Sequence, residues 1–198
     1  MNMKKGTVII IAIIAVFVLL FSWSVLKYNG FVDKQEAVNT AWSQVENQYQ
    51  RRLDLIPNLV ETVKGYAAHE SETLTAVIEA RSKATAANIN ADNLTEENLA
   101  KFQQSQDQLS SALSRLMVVV ERYPDLKANQ NFRDLQVQLE GTENRITVAR
   151  QDFNAIAKTY NVAVRRFPAN IIAGMMNFDQ RPYFKADEGA EKAPQVKF

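Results

Sequence analysis

The side chains that most readily shuttle protons, attack carbon or bind metal are scarce in this 198-residue chain, which has one histidine, His69, and no cysteine. Thiolate zinc sites, disulfides and cysteine nucleophiles are therefore excluded. A single imidazole cannot supply the paired histidines of a metalloprotease helix or the two Glu-x-x-His units of a di-iron bundle. His69 lies in the polar run AAHESE, where a solvated turn or cap is its expected role. The glycines are too scattered for a phosphate loop or a nucleophile elbow. Carboxylates and guanidinium groups remain. Glu46, Glu143 and Arg150 would make a metal-free hydrolase only by converging in one deep pocket around a perturbed carboxylate. Glu140 and Glu143 alternate instead with Arg145 and Arg150, the pattern of a solvated helix face. The expectation is a protein that is not an enzyme and takes no cofactor or metal.

Near the apolar seams lies a second polar set: Asn47, Arg51, Asn58, Gln106, Thr142, Asn144, Arg145, Asn154 and Asn161. Buried polar groups need partners, and such a set fixes register and alignment among otherwise interchangeable helices. The stretch QRRLDLIPNLVETV adds a proline, Pro57, to an amphipathic pattern that continues through Val60, Val63 and Ala67. A proline in a helix interior frees the carbonyl four residues back and costs roughly 3 kcal/mol. The continuing stripe predicts a kinked but unbroken helix, with the carbonyl of Leu53 freed and Arg51, Arg52, Asn58 or water as candidate donors. Arg51, Arg52, Pro57 and Asn58 are accordingly the residues of a kink and a candidate partner contact.

Positioning these residues requires long helices on a membrane anchor. Residues 7–26, TVIIIAIIAVFVLLFSWSVL, carry no charge and match the bilayer core in length as a helix. A cleaved signal peptide is the competing reading, but the run exceeds the usual signal core. Lysines flank the run with little asymmetry, giving a slight preference for a bundle outside the cytoplasm. Positions 132, 135, 139, 142, 146, 149, 153, 156, 160, 163 and 167 form one seam, and 99 to 123 repeat it. Phe31, Val38, Trp42, Val45, Tyr49 and Leu53 form another. Pro124 ends the helix before it, and the polar stretch 125–131 turns the chain. A reversal at 65–71, with Ser71 as the next cap, gives an all-α fold: a transmembrane helix, then a long up-and-down antiparallel four-helix bundle. The alternative is a three-helix coiled bundle with a continuous first helix.

The organisation expected is a short tail at 1–6, the transmembrane helix at 7–26, the bundle at 27–167, an apolar segment at 168–184 and a flexible tail at 185–198. Ile171, Ile172, Met175, Met176 and Phe178 make the apolar segment either a strap folded over the bundle's open end or an interfacial helix on the membrane or a partner. With 23 basic against 22 acidic side chains, nothing suggests a nucleic-acid partner.

The stretches AWSQVENQYQRRLDLIPNLVETVKGYAAHE at 41–70, YPDLKANQNFRDLQVQLEGTENRITVARQDFNAIAKTYN at 123–161 and RFP at 166–168 resemble the LemA family of bacteria. The resemblance implies a membrane-anchored helical bundle and supplies no catalytic residue. Together these readings point to a single-pass protein of the bacterial inner membrane, a scaffold or adaptor. Its expected partners are lipid, further copies of itself and a membrane protein. A peptide or protein receptor using the kinked helix is the alternative.

Overall fold

The computed structural model describes residues 5–185 and is all-helical, with no strand among them. Six helices follow one another: α1 (Lys5–Lys64), α2 (Ser71–Ala86), α3 (Glu96–Val120), α4 (Pro124–Ala128), α5 (Gln130–Arg165) and α6 (Ala169–Met175), with a 3-10 turn at Ala91–Asn93. The end of α1 at Lys64 rules out the continuous-first-helix alternative. Residues 186–198, and so the expected tail apart from Lys185, lie outside the described residues, as do residues 1–4.

Two compact units are present, one of residues 5–40 with 155–181 and one of 41–154 with 182–185. In the first, the apolar run of α1 has a mean hydropathy of 3.0 and no protein packed on it, as a helix built for lipid requires. Lys27 Nζ sits 5.9 Å from the ring of Trp23 at the end of that run. Beyond it Phe31 and Val38 are buried, as are Ala157, Tyr160, Asn161 and Val164 of α5.

The second unit is the bundle of α1, α2, α3 and α5. Its core holds Leu53, Ile56, Val60 and Val63 of α1 with Leu74 and Val77 of α2, Leu109 and Leu116 of α3, and Phe132 of α5. The expected seams are the buried lines of their helices. On α5 the line drifts after Phe153 to Ala157, Asn161 and Val164. A straight helix of 3.6 residues per turn outruns a 3.5-residue pattern in this way. Phe167, the last expected seam position, is 78% exposed because α5 has already ended at Arg165. Ile78 of α2 faces outward.

Two helix boundaries differ from expectation. The residue capping α2 is Glu70, not Ser71. Its carboxylate does not cap but accepts from Arg122 Nη2 (3.0 Å) and Tyr123 Oη (2.9 Å). That pair ties the α1–α2 turn to the end of α3. The polar stretch after Tyr123 is also more than a turn. Pro124 starts the five-residue α4, a position where a missing N–H costs nothing, and the apolar side chain of Leu126 draws that turn inward until it is fully buried. Asn129 Oδ1 then accepts from Phe132 N (3.0 Å) at the start of α5. Thr95, by contrast, caps α3 with its side chain, accepting from Asn98 N at 3.2 Å.

Candidate functional site

The most concentrated polar chemistry of the bundle is built around Arg52. The seam of α1 turns this residue inward, and it is only 2% exposed. Its Nη1 donates to Glu143 Oε2 of α5 at 2.9 Å and to Ser110 Oγ of α3 at 3.1 Å. Nη2 donates to the side-chain oxygen of Gln106, one turn before Ser110, and at 3.4 Å to its carbonyl. The guanidinium plane also lies 5.2 Å from the ring of Tyr49 on the preceding turn of α1. A planar fork with five donors can satisfy several acceptors at once, which an ammonium cannot. One side chain thus joins three helices. Only Nε finds no hydrogen-bond partner among the described residues.

Two clefts flank this network. One, of about 300 Å³, opens between α1, α3 and α5 with Arg52 and Glu143 in its wall and Leu113, Met117 and Leu139 as apolar lining. The other, of about 260 Å³, is lined by Glu46, Tyr49, Asn88 and Gln106. Burial pushes the Glu46 carboxyl above the usual carboxylate range, against the opposing pull of the Trp42 indole. Burial likewise raises the Tyr49 phenol, while Arg150 and Arg52 pull it down. The residues of the hydrolase reading do not meet. Glu46 and Glu143 line different clefts, and the Arg150 guanidinium lies 4.9 Å from the ring of Phe184. His69 is exposed in the α1–α2 turn.

At the proline, α1 stays helical through Pro57. The Leu53 carbonyl accepts a hydrogen bond from Arg81 Nε of α2 at 2.9 Å. This corrects the expected donors: Arg51 and Asn58 are exposed, and Arg52 points to the opposite partners on α3 and α5. Arg81 was missed because it sits beside the short apolar line of α2, where a charged residue reads as part of the solvated face. Of the polar seam, Gln106, Thr142 and Asn161 are buried and Asn154 half-buried, whereas Asn47, Asn144 and Arg145 are exposed. Even so, Arg145 links helices, donating to Gln48 Oε1 (3.2 Å) and Thr142 Oγ1 (2.9 Å).

The C-terminal segment divides. Residues 181–185 run extended and are read by asparagine amides. Asn154 accepts from Phe184 N (2.9 Å) and donates to its carbonyl (3.0 Å). Asn161 treats the backbone of Arg181 identically, at 2.8 Å each way. The Phe184 ring stacks on Trp42 at 5.9 Å and meets Phe153 edge-on. The Lys185 carbonyl accepts from Arg150 Nη2 (3.0 Å) and Gln103 Nε2 (3.2 Å). Of the expected interface residues, Ile172 is buried and Phe178 packs on Tyr28 and Phe31, while Ile171, Met175 and Met176 are exposed.

The sequence profile of the LemA family matches residues 41–198. The chain is 27% identical over 203 residues to magnetosome protein MamQ 2 of Paramagnetospirillum magneticum, covering 93% of this chain and 75% of the relative. Against magnetosome protein MamQ of Magnetospirillum gryphiswaldense it is also 27% identical, covering 92% and 74%. It is 26% identical over 160 residues to protein LemA of Metamycoplasma hominis, covering 81% and 69%.

Proposed function

The chain belongs to the LemA family, and from its architecture we propose that this membrane-associated helical protein is a non-enzymatic, single-pass scaffold that self-associates and organises partner proteins at the bacterial inner membrane. The observation that carries the reading is the use of Arg52. Its charge is engaged by three side chains of two other helices, so the strongest buried electrostatic group holds structure together and is not poised for a substrate. Two of these relatives are named for the magnetosome, not for a reaction, which accords with an organising role. A bundle outside the cytoplasm remains the preferred orientation. At the kinked helix the freed Leu53 carbonyl is taken by Arg81, which favours a structural use of the kink over the receptor alternative.

Light scattering on the full-length protein in mild detergent, with cross-linking in cells, tests the proposal. The expected result is an oligomer and at least one cross-linked membrane protein. A strict monomer that captures no membrane partner refutes it.

A further inference from the structure

We propose that α6 is a second membrane contact, lying in the headgroup layer beside the exit of α1 with its outer apolar face toward the acyl chains. The proposal rests on the reading of residues 7–26 as a membrane-spanning anchor. Three observations within one unit carry it.

The first is the pattern of α6 itself. Ala169, Ile172 and Ala173 are buried at helical spacing, so one face is already occupied by protein. The opposite face presents Ile171, 56% exposed, and Met175, 74% exposed, flanked by exposed Phe167 and Met176. Gly174 has open space beside it. No charged residue occurs between Phe167 and Phe178. A short helix apolar on both faces, with protein against one of them, needs an apolar medium against the other.

The second is depth. The backbone after α6 is turned by Asn177, whose φ of 57° lies in the left-handed region that asparagine tolerates. The Phe178 N–H returns to the Ala173 carbonyl at 3.0 Å, the six-to-one bond of a Schellman ending. Phe178 is thereby delivered to α1, its ring 5.5 Å from Tyr28 and 5.3 Å from Phe31. At a rise of about 1.5 Å per residue, these rings lie roughly 3 and 7.5 Å past Leu26, the last residue of the apolar run. The headgroup layer extends roughly 5–7 Å beyond the hydrocarbon on each side. The end of α6 is therefore held at the depth where lipid is the adjacent phase, continuous with the lipid around α1.

The third is the flank. Exposed Arg165 and Arg166 immediately precede Phe167, the cationic border that interfacial helices carry toward anionic headgroups.

The cysteine-free sequence makes the test direct, because each introduced cysteine takes a spin label at one site only. Full-length Ile171→Cys and Met175→Cys variants are labelled in vesicles of phosphatidylcholine and phosphatidylglycerol, with collision rates measured for oxygen and for a water-soluble nickel chelate. Phe17→Cys supplies the lipid reference and Glu36→Cys, on α1 beyond the apolar run, the water reference. The expected result is oxygen accessibility exceeding chelate accessibility at 171 and 175, as at 17, and the reverse at 36. If 171 and 175 follow 36 while 17 stays in lipid, α6 is off the membrane and this proposal fails with the anchor intact. If 17 itself follows 36, the anchor fails and takes α6 with it. Dipolar broadening at 175 that persists when detergent replaces the vesicles identifies a second copy as the occupant and also overturns the proposal.

Discussion

Arg52 and Glu143 form an asymmetric pair, and the asymmetry predicts which partner is the more damaging to remove. Arg52 is 2% exposed and the Glu143 side chain 53%. Replacing Arg52 with methionine keeps most of the buried volume and returns a half-exposed carboxylate to water at little cost. It leaves the side-chain oxygen of Gln106 without its donor, a loss worth about 1–3 kcal/mol for a buried acceptor. Replacing Glu143 with alanine instead strands a buried guanidinium whose Nε already finds no partner among the described residues. Stranding a fully buried charge costs roughly 3–5 kcal/mol, reduced here because the vacated position opens to solvent. The expected order is Glu143→Ala at about 2–4 kcal/mol and Arg52→Met at about 1–2. The double variant should be no less stable than Glu143→Ala alone, because removing Arg52 removes the stranded charge. Urea unfolding of the full-length protein in mild detergent, followed by circular dichroism, reads these values as midpoint shifts. Arg52→Met costing more than Glu143→Ala by about 1 kcal/mol, or a double variant whose loss is the sum of the singles, would refute the reasoning.

Arg81→Met leaves the Leu53 carbonyl unpaired and should cost about 1–3 kcal/mol; in a Pro57→Ala background, where the restored N–H takes that carbonyl, the same change should cost clearly less, and equal costs in the two backgrounds would contradict the assignment. Phe184→Ala should lose roughly 3–4 kcal/mol by emptying the space against Trp42 and Phe153, and should increase proteolysis after Lys185; unchanged stability would mean the extended segment contributes little to the bundle. Glu46→Gln tests the raised carboxyl. A carboxyl whose folded pKa exceeds its unfolded value favours folding below the unfolded pKa and loses that contribution as pH rises through the folded one. The variant should therefore match the native protein near pH 4 and exceed it above the raised pKa by a few tenths of a kcal/mol, given the group's partial exposure; a gain greatest in acid would reverse the sign and sink the assignment.

What was legible in the sequence was whatever repeats. The apolar steps of three and four marked the lines of α1, α3 and α5 and the persistence of α1 through Pro57, whereas the break before Ser71 left a continuous first helix as the alternative because the stripe resumes beyond it. Gln106 and Thr142 stood out because they interrupt apolar lines. Single long-range partners leave no period. Arg81 bonds a carbonyl 28 residues away and Glu70 a tyrosine 53 away, contacts set by how helices cross and not by local pattern. The five-residue α4 was hidden for a related reason: a helix that short is held by one buried side chain, Leu126, and has no stripe to detect. The two faces of α6 were also inseparable beforehand, since all of its large residues are apolar and only the packing decides which of them meet protein.

The same repetition that makes the seams readable makes them ambiguous, and the polar pins resolve the ambiguity. Along α3 the seam positions one heptad either side of Gln106 are Leu99 and Leu113. An apolar seam shifted by seven residues still meets apolar partners, so leucines alone would barely distinguish the registers. For Arg52 the shifts are far from equivalent, since either one replaces the Gln106 side-chain acceptor with a leucine beside a buried charge. On α5, a shift one way brings Gln136 to the place of Glu143 and removes the counter-charge. The other way brings Arg150, setting two guanidinium groups together. Each alternative leaves the Arg52 charge without its ion pair, a penalty of several kcal/mol that the seams cannot offset because their own burial is nearly unchanged. The buried arginine therefore contributes more to choosing between packings than to the stability of the one chosen.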